Sequence, residues 1–276
     1  MEIGEDKLRI VVKVGTSTLT RDDGSIKLRC IDRLAMALAD LRGQGHQVIL
    51  VSSGAIGVGV GKLGLGKRPD ELRVKQAVAA VGQCELMHIY DKFLGEYGAT
   101  VGQILLTDED VADPRRAEHL ENTFEALLEL GCIPVVNEND SVSSAEIETG
   151  QARVLGDNDT LSAIVARLCR ADLLVLLSDI DGLYDKDPHR CPDARLVERV
   201  DELTDEVRAA AGGAGTARGT GGMQTKLNAA AIAMDAGVDM VIANGARPEL
   251  LYDIAAGAPV GTRFCARKGG NAHDRH

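Results

Sequence analysis

The sequence predicts an α/β protein with a mostly parallel sheet and helices on both faces. Three observations carry this expectation. Short apolar runs alternate with longer stretches of helical period along the chain. The apolar runs contain few polar residues, as strands buried on both faces do. Strand–helix–strand order then favours parallel pairing, since a crossover helix returns the chain to the same end of the sheet.

The elements follow in order. A first strand is read at 8–14, where Lys13 lies among the apolar residues that follow Arg9, and a helix at 27–42. A second strand, 47–52, turns at Gly54 into a helix, and 71–97 is a long helical stretch. A strand at 100–106, a helix at 115–130 and a strand at 132–137 complete the first half. Residues 140–157 are polar and hold a possible small hairpin. A helix at 160–168, a strand at 173–178 and a helix at 203–210 follow. The stretch 211–222 is nearly all glycine, alanine and threonine, suited to bringing backbone N–H groups to a ligand. A helix at 222–236 and strands at 238–243 and 261–265 end the pattern, and 267–276 reads as a disordered tail. A soft boundary near Arg170 separates a longer N-terminal lobe, 1–170, from a shorter one, 171–266.

Composition excludes several classes. With 276 residues, 45% of them hydrophobic, the chain can bury one large core or two joined lobes. A net charge of -11 without a basic patch argues against nucleic-acid binding. The charged start, Met1 to Arg9, is unlike a signal peptide, and no apolar run is long enough to span a bilayer, so a cytoplasmic protein without membrane partners is expected. Six dispersed cysteines form no CxxC pair, and no HExxH is present, so no metal ligands are assigned. Two glycine patterns are set aside. Residues 59–64 fit GxGxxG, and 61–67 have P-loop spacing, but neither follows a strand directly, and Arg68 stands where a P-loop has Ser or Thr. This region reads as a helix end and a surface loop.

Six polar clusters remain, most of them at strand ends. Lys13 and Gly15 follow the first strand. A lysine within an apolar strand either meets a ligand or reaches water from an edge, and both readings stand for this segment alone. Ser53 and Gly54 open a helix, either as an anion site or as a cap. The run from Asn137 to Asp140 crowds amides and carboxylates, which either orient a polar ligand or form a turn. Asp157, Asn158 and Asp159 exceed what capping alone requires. Ser178 and Asp179 end a strongly apolar strand, where nucleotide hydroxyls or a hydrated magnesium could dock. Gly221 and Gly222 leave amides free at a helix start, with Lys226 one turn in. Two lysines clamping a group, with an aspartate between them, suit phosphoryl transfer, which depends on positioning and charge neutralisation.

These segments carry a resemblance: VVKVGTS (11–17), SSGAI (52–56), KQAVAAVGQ (75–83), GQILLT (102–107), VNENDSV (136–142), GDND (156–159), LLSDIDGLYDKDP (176–188) and GTGGMQTKLNAA (219–230). In this order, over nearly the whole chain, it resembles the amino acid kinase family, and within it the members that phosphorylate glutamate. The resemblance implies a three-layer α-β-α sandwich with an acceptor lobe and a nucleotide lobe. It implies transfer of the terminal phosphoryl of ATP to the γ-carboxylate of L-glutamate, the first step of proline biosynthesis. Mg2+, feedback inhibition by proline and a homo-oligomer, dimer or tetramer, are implied with it. Residue by residue, Lys13 and Lys226 would stabilise the transferring group and Asp159 would organise them. Ser53, Asp140 and Asn158 would bind glutamate, with Asn137 nearby, and Gly15 and Gly54 would donate backbone N–H groups. Ser178, Asp179, Thr220, Gly221, Gly222, Met223, Gln224, Thr225, Lys226 and Lys13 would contact ATP.

Two departures from the family pattern are expected to matter. Residues 145–156 read a few residues longer, beside the acceptor site, and the chain ends without the PUA domain of many bacterial relatives. Rival readings are another family member acting on acetylglutamate, carbamate, aspartate or uridylate, or a non-catalytic glutamate or proline sensor. The asparagine-rich clusters speak against the first and the intact Lys13, Asp159 and Lys226 against the second.

Overall fold

In the computed structural model, residues 7–21, 23–143, 155, 157–188, 191–211 and 222–266 are described. The chain order is β1 (Arg9–Val14), α1 (Thr16–Leu19), α2 (Leu28–Gly43), β2 (Gln47–Ser52), α3 (Ala55–Leu63), α4 (Leu72–Glu96), β3 (Val101–Leu106), α5 (Asp108–Ala112), α6 (Pro114–Glu129) and β4 (Ile133–Glu138). It continues with α7 (Asn158–Leu168), β5 (Leu173–Ser178), β6 (Arg199–Val200), α8 (Asp205–Ala211), α9 (Met223–Asp235), β7 (Asp239–Asn244), α10 (Leu250–Ala255) and β8 (Thr262–Phe264).

All strands among the described residues join one sheet in the order β3-β4-β2-β1-β5-β7-β8-β6. The pairs from β3 through β7 are parallel, β8 runs antiparallel to β7, and β6 runs with β8. Buried apolar residues make this possible, since every residue of β1 and of β5 is buried. The succession of strands reverses at β1, which pairs with β2 on one side (Val14↔Ser52) and β5 on the other (Val14↔Leu177). In open parallel sheets the crevice beyond the carboxyl ends at such a reversal is where ligands dock.

Alternation along β1 divides the core. Ile10, Val12 and Val14 face a cluster with α2, α4 and α10. Val11 faces the other cluster, with α6, α7 and α9. Residue 13 shares the parity of residue 11, so Lys13 points to the face covered by α7 and α9. Arg9, 9% exposed, ties the start of β1 to its surroundings through Gln47, the Cys169 carbonyl and Glu125.

Of the glycines that imitate nucleotide motifs, Gly59 serves helix packing, together with Gly82 outside them. A Cβ on Gly59 in α3 would lie 2.1 Å from the Val78 carbonyl oxygen of α4, and one on Gly82 in α4 would lie 1.8 Å from that of Ala55. The two helices therefore touch backbone to backbone.

The expected strands and helices are all present, with ends shifted by a residue or two. The short elements α1, α5, α10 and β6 were not expected. Most of the stretch 140–157 with its possible hairpin lies outside the described residues, as do most of the glycine-rich stretch 211–222 and all of the tail 267–276. The boundary expected near residue 170 falls between α7 and β5, yet one sheet runs through both halves. Among the described residues, no helix is long and apolar enough to cross a membrane.

Candidate active site

The carboxyl ends of β1, β2, β4 and β5 bring the expected polar clusters together. Val14 leads into Gly15, and the Ser53 amide donates to the Val14 carbonyl at 3.0 Å, so the β1 and β2 turns lie side by side. Gly54 caps α3 with φ +101, a left-handed conformation that disfavours a Cβ. The amides of α3 thereby open beside the turn at Gly15.

Behind these turns sits a buried charge cluster. Lys13 Nζ lies 2.6 Å from Asp159 Oδ1, and Lys226 Nζ lies 3.3 Å from Asp159 Oδ2. Thr225 Oγ1 donates to the same Oδ2 at 2.9 Å and reaches the Gly222 carbonyl at 2.8 Å. The three charged residues are 8%, 5% and 1% exposed for Lys13, Lys226 and Asp159. They come from β1, the first turn of α9 and the first turn of α7. Burial alone would raise the Asp159 pKa, but the charges of Lys13 and then Lys226, with a hydrogen bond from Thr225, outweigh it and hold the carboxyl below its ordinary range. Asp159 is thus an ionised organiser, with two cations and one anion leaving a net positive site for an incoming phosphate. The Lys13 contact misses hydrogen-bond geometry at Oδ1 and is an ion pair.

Capping separates the three polar residues at the start of α7. Asp157 accepts from the Asp159 and Thr160 amides at 2.8 and 2.9 Å and is the cap. This frees Asn158 and Asp159 for the site. Asn158 Nδ2 donates to Ser53 Oγ at 2.7 Å and reaches the Ser52 carbonyl at 3.2 Å and Asn137 Oδ1 at 3.3 Å. Asn158 Oδ1 has no partner among the described residues and remains an acceptor. Asn137, expected only to lie near glutamate, is 3% exposed and used internally. Its Nδ2 donates to Gln83 Oε1 at 2.9 Å while its Oδ1 accepts from the Glu138 amide at 2.9 Å. Gln83, 9% exposed on α4, was not singled out from sequence for any role. The KQAVAAVGQ segment was the available signal, but its partner lies 54 residues away. Asp140 sits half-buried just beyond β4.

The remaining expected residues are distributed as follows. Ser178 is buried at the end of β5 and donates to Asp179 Oδ1 at 3.1 Å, while Asp179 is exposed. Gly222 caps α9, Met223 is buried in the core, and Gln224 is exposed and donates to Asn228 at 3.2 Å. Met223 and Gln224 therefore contribute to the helix start, and Thr225 to the charge cluster. Thr220 and Gly221 lie outside the described residues. Among the described residues, no three His, Cys, Asp or Glu side chains converge as a metal cage.

Comparison with known proteins identifies the family. A family model described as "Amino acid kinase family" matches residues 8–244. The chain is 55% identical over 265 residues to glutamate 5-kinase of Clostridium perfringens, covering 96% of this chain and 98% of that protein. It is 54% identical over 267 residues to glutamate 5-kinase of Listeria innocua, covering 96% of each. Among solved structures, an isopentenyl phosphate kinase substrate complex superposes with TM-score 0.64 at 19% identity, over 93% of this chain and 99% of that one. Carbamate kinase from Giardia lamblia bound to AMP-PNP gives 0.65 at 16%, over 94% and 98%. These distant structures share the fold. Relatives more than half identical over nearly the full length carry the further conclusion that this chain belongs to the amino acid kinase family.

Proposed function

We propose that the chain transfers the γ-phosphoryl group of ATP to the γ-carboxylate of L-glutamate, giving ADP and L-glutamyl 5-phosphate for proline biosynthesis. The observation that carries this reading is the adjacency, on α7, of Asp159 holding two lysines and Asn158 facing Ser53. One residue serves the phosphoryl and its neighbour serves the acceptor. The names of the relatives that are more than half identical support the choice of glutamate.

The residues divide the chemistry. Lys13 and Lys226 neutralise charge on the transferring group and on the β-phosphate oxygen of departing ADP. Asp159 sets their spacing and direction and takes no proton, being held ionised. Gly15 and Gly54 offer backbone N–H groups to the phosphate. Asn158 Oδ1 and Asp140 accept from the α-ammonium of glutamate, and Ser53 lies at the same wall. The γ-carboxylate is already ionised at neutral pH and attacks phosphorus without a general base. In this reading 1–170 carries the acceptor and 171–266 the nucleotide, which contacts Ser178, Asp179 and 220–226.

Magnesium would arrive with ATP, because it prefers phosphate oxygens and water and the described residues offer it no cage. Proline would act as an inhibitor at the glutamate site, within a cytoplasmic homo-oligomer. The test is ADP release with a panel of acceptors. Glutamate alone should support turnover, and equal turnover with acetylglutamate, aspartate, carbamate or UMP would replace this reading with another family activity.

A further inference from the structure

Among the buried residues of α4, only Gln83 and Tyr90 carry polar groups; the others are Val78, Ala79, Gly82, Leu86, Ile89 and Leu94. Seven residues are two helical turns, so the two side chains leave one face of α4 about 10 Å apart along its axis. Polar groups in such a face are costly unless they are bonded. Gln83 Oε1 accepts from Asn137 Nδ2 at 2.9 Å, and the Tyr90 hydroxyl lies 2.7 Å from Ser52 Oγ. Gln76, a further seven residues back, donates to the Ser143 carbonyl at 3.2 Å. A polar stripe on α4 therefore runs behind the ends of β2 and β4 and the turn after β4.

Two branches from this stripe meet on one side chain. Ser52 Oγ donates to the Ser53 carbonyl at 3.0 Å, which makes Tyr90 the donor to Ser52. Burial raises the Tyr90 phenol above its ordinary range, so it keeps its proton. This branch holds the Ser52–Ser53 peptide, and the Ser52 carbonyl accepts from Asn158 Nδ2 at 3.2 Å. In the other branch, Asn137 Oδ1 accepts from the Glu138 amide at 2.9 Å, and a backbone N–H can only donate. Asn137 therefore turns its Nδ2 to Gln83 and its Oδ1 to Asn158 Nδ2, at 3.3 Å. The Ser52 carbonyl can only accept, so Asn158 must face this wall with its nitrogen, which leaves Oδ1 for an incoming donor. A reversed amide would offer N–H groups to that donor and repel it.

We propose that Tyr90, together with Gln83, is a positioning residue of the acceptor site, fixing through two converging branches which atom of the Asn158 amide meets the acceptor. The inference rests on the acceptor wall assigned above. The backbone contact of Gly82 with Ala55 in α3 holds α4 at the register this needs, since a Cβ there would lie 1.8 Å from the Ala55 carbonyl oxygen. Neither Tyr90 nor Gln83 touches the acceptor itself.

The test is a double-mutant cycle on the full chain with Tyr90→Phe, which removes one oxygen, and Gln83→Leu. Thermal melts establish that each variant is folded, and steady-state kinetics give kcat and both KM values. If Gln83→Leu fails to fold, Gln83→Met, of similar length, replaces it. Tyr90→Phe should raise the KM for glutamate about 3–10-fold while kcat and the KM for ATP stay within about twofold. Groups in one network couple, whereas independent groups act additively. Because each branch holds the amide when the other is lost, the double variant should raise the glutamate KM by more than about twofold beyond the product of the single effects. A glutamate KM in Tyr90→Phe raised less than threefold, an equal rise in the KM for ATP, an equal fall in kcat, or a double variant within twofold of the product or below it would overturn the proposal. A wild type inert with glutamate would overturn the functional reading instead, and the same cycle is then read against the acceptor that the wild type does use.

Discussion

Asp159→Asn removes one charge and almost no volume, so it isolates the role of the carboxylate. Asp159 is 1% exposed, and its two oxygens lie 2.6 Å from Lys13 and 3.3 Å from Lys226. Without the charge, two buried ammonium groups face each other across a neutral amide. Breaking a buried ion pair by removing one partner costs about 3–5 kcal/mol. At about 2–4 °C per kcal/mol for a chain somewhat smaller than this one, the melting temperature should fall by roughly 6–20 °C. Loss of directed electrostatic stabilisation typically lowers kcat by about 10²–10³. The pH dependence has a definite sign. The folded pKa of Asp159 is depressed below its ordinary value of 3.8, so its stabilisation is complete well above that value and is lost as pH falls through the lower folded pKa. The stability gap between wild type and variant should therefore be flat near neutrality and shrink below about pH 4. Thermal melts across pH and an ADP-release assay read both effects. A variant with kcat within about threefold of wild type would refute the organising role, whatever its melting temperature.

Gln83→Leu should raise the KM for glutamate by about 5–30-fold, with a smaller change in kcat, because it frees the Asn137 amide and loosens the wall under Asn158 at a cost of about 1–2 kcal/mol. Gln83→Glu keeps the accepting oxygen and should recover part of the affinity in the same steady-state assay; equal KM for both variants would contradict this. Gly82→Ala should lower the melting temperature by several degrees, since its Cβ would press on the Ala55 carbonyl oxygen at 1.8 Å and overpacking costs about 1–3 kcal/mol. An unchanged melt would show that α3 and α4 can separate freely. Proline should inhibit competitively against glutamate and not against ATP, and inhibition competitive with ATP alone would remove proline from the acceptor site.

The parallel core was legible because its strands are runs such as Leu173–Ser178, too apolar to face water on either side. Lys13 was legible for the same reason, as a charge deep within such a run. Its partners were legible as clusters but not as contacts. Only the fold separates Asp157 the cap from Asp159 the counter-ion, two positions apart on one helix start. Asn137 and Gln83 could not be paired from sequence, because they lie 54 residues apart and only the fold brings α4 against the end of β4. The short elements escaped notice because they lack a periodic signal. β6 has two residues, one of them exposed, and exists through its pairing with β8.

The most direct test of the central claim is the identity of the product. Incubation with ATP, L-glutamate and hydroxylamine should trap an acyl phosphate as γ-glutamyl hydroxamate, mole for mole with ADP, in the wild type and not in a folded Lys226→Ala variant. ADP formed without hydroxamate, or hydroxamate formed equally by Lys226→Ala, would contradict phosphoryl transfer to the γ-carboxylate by this lysine pair.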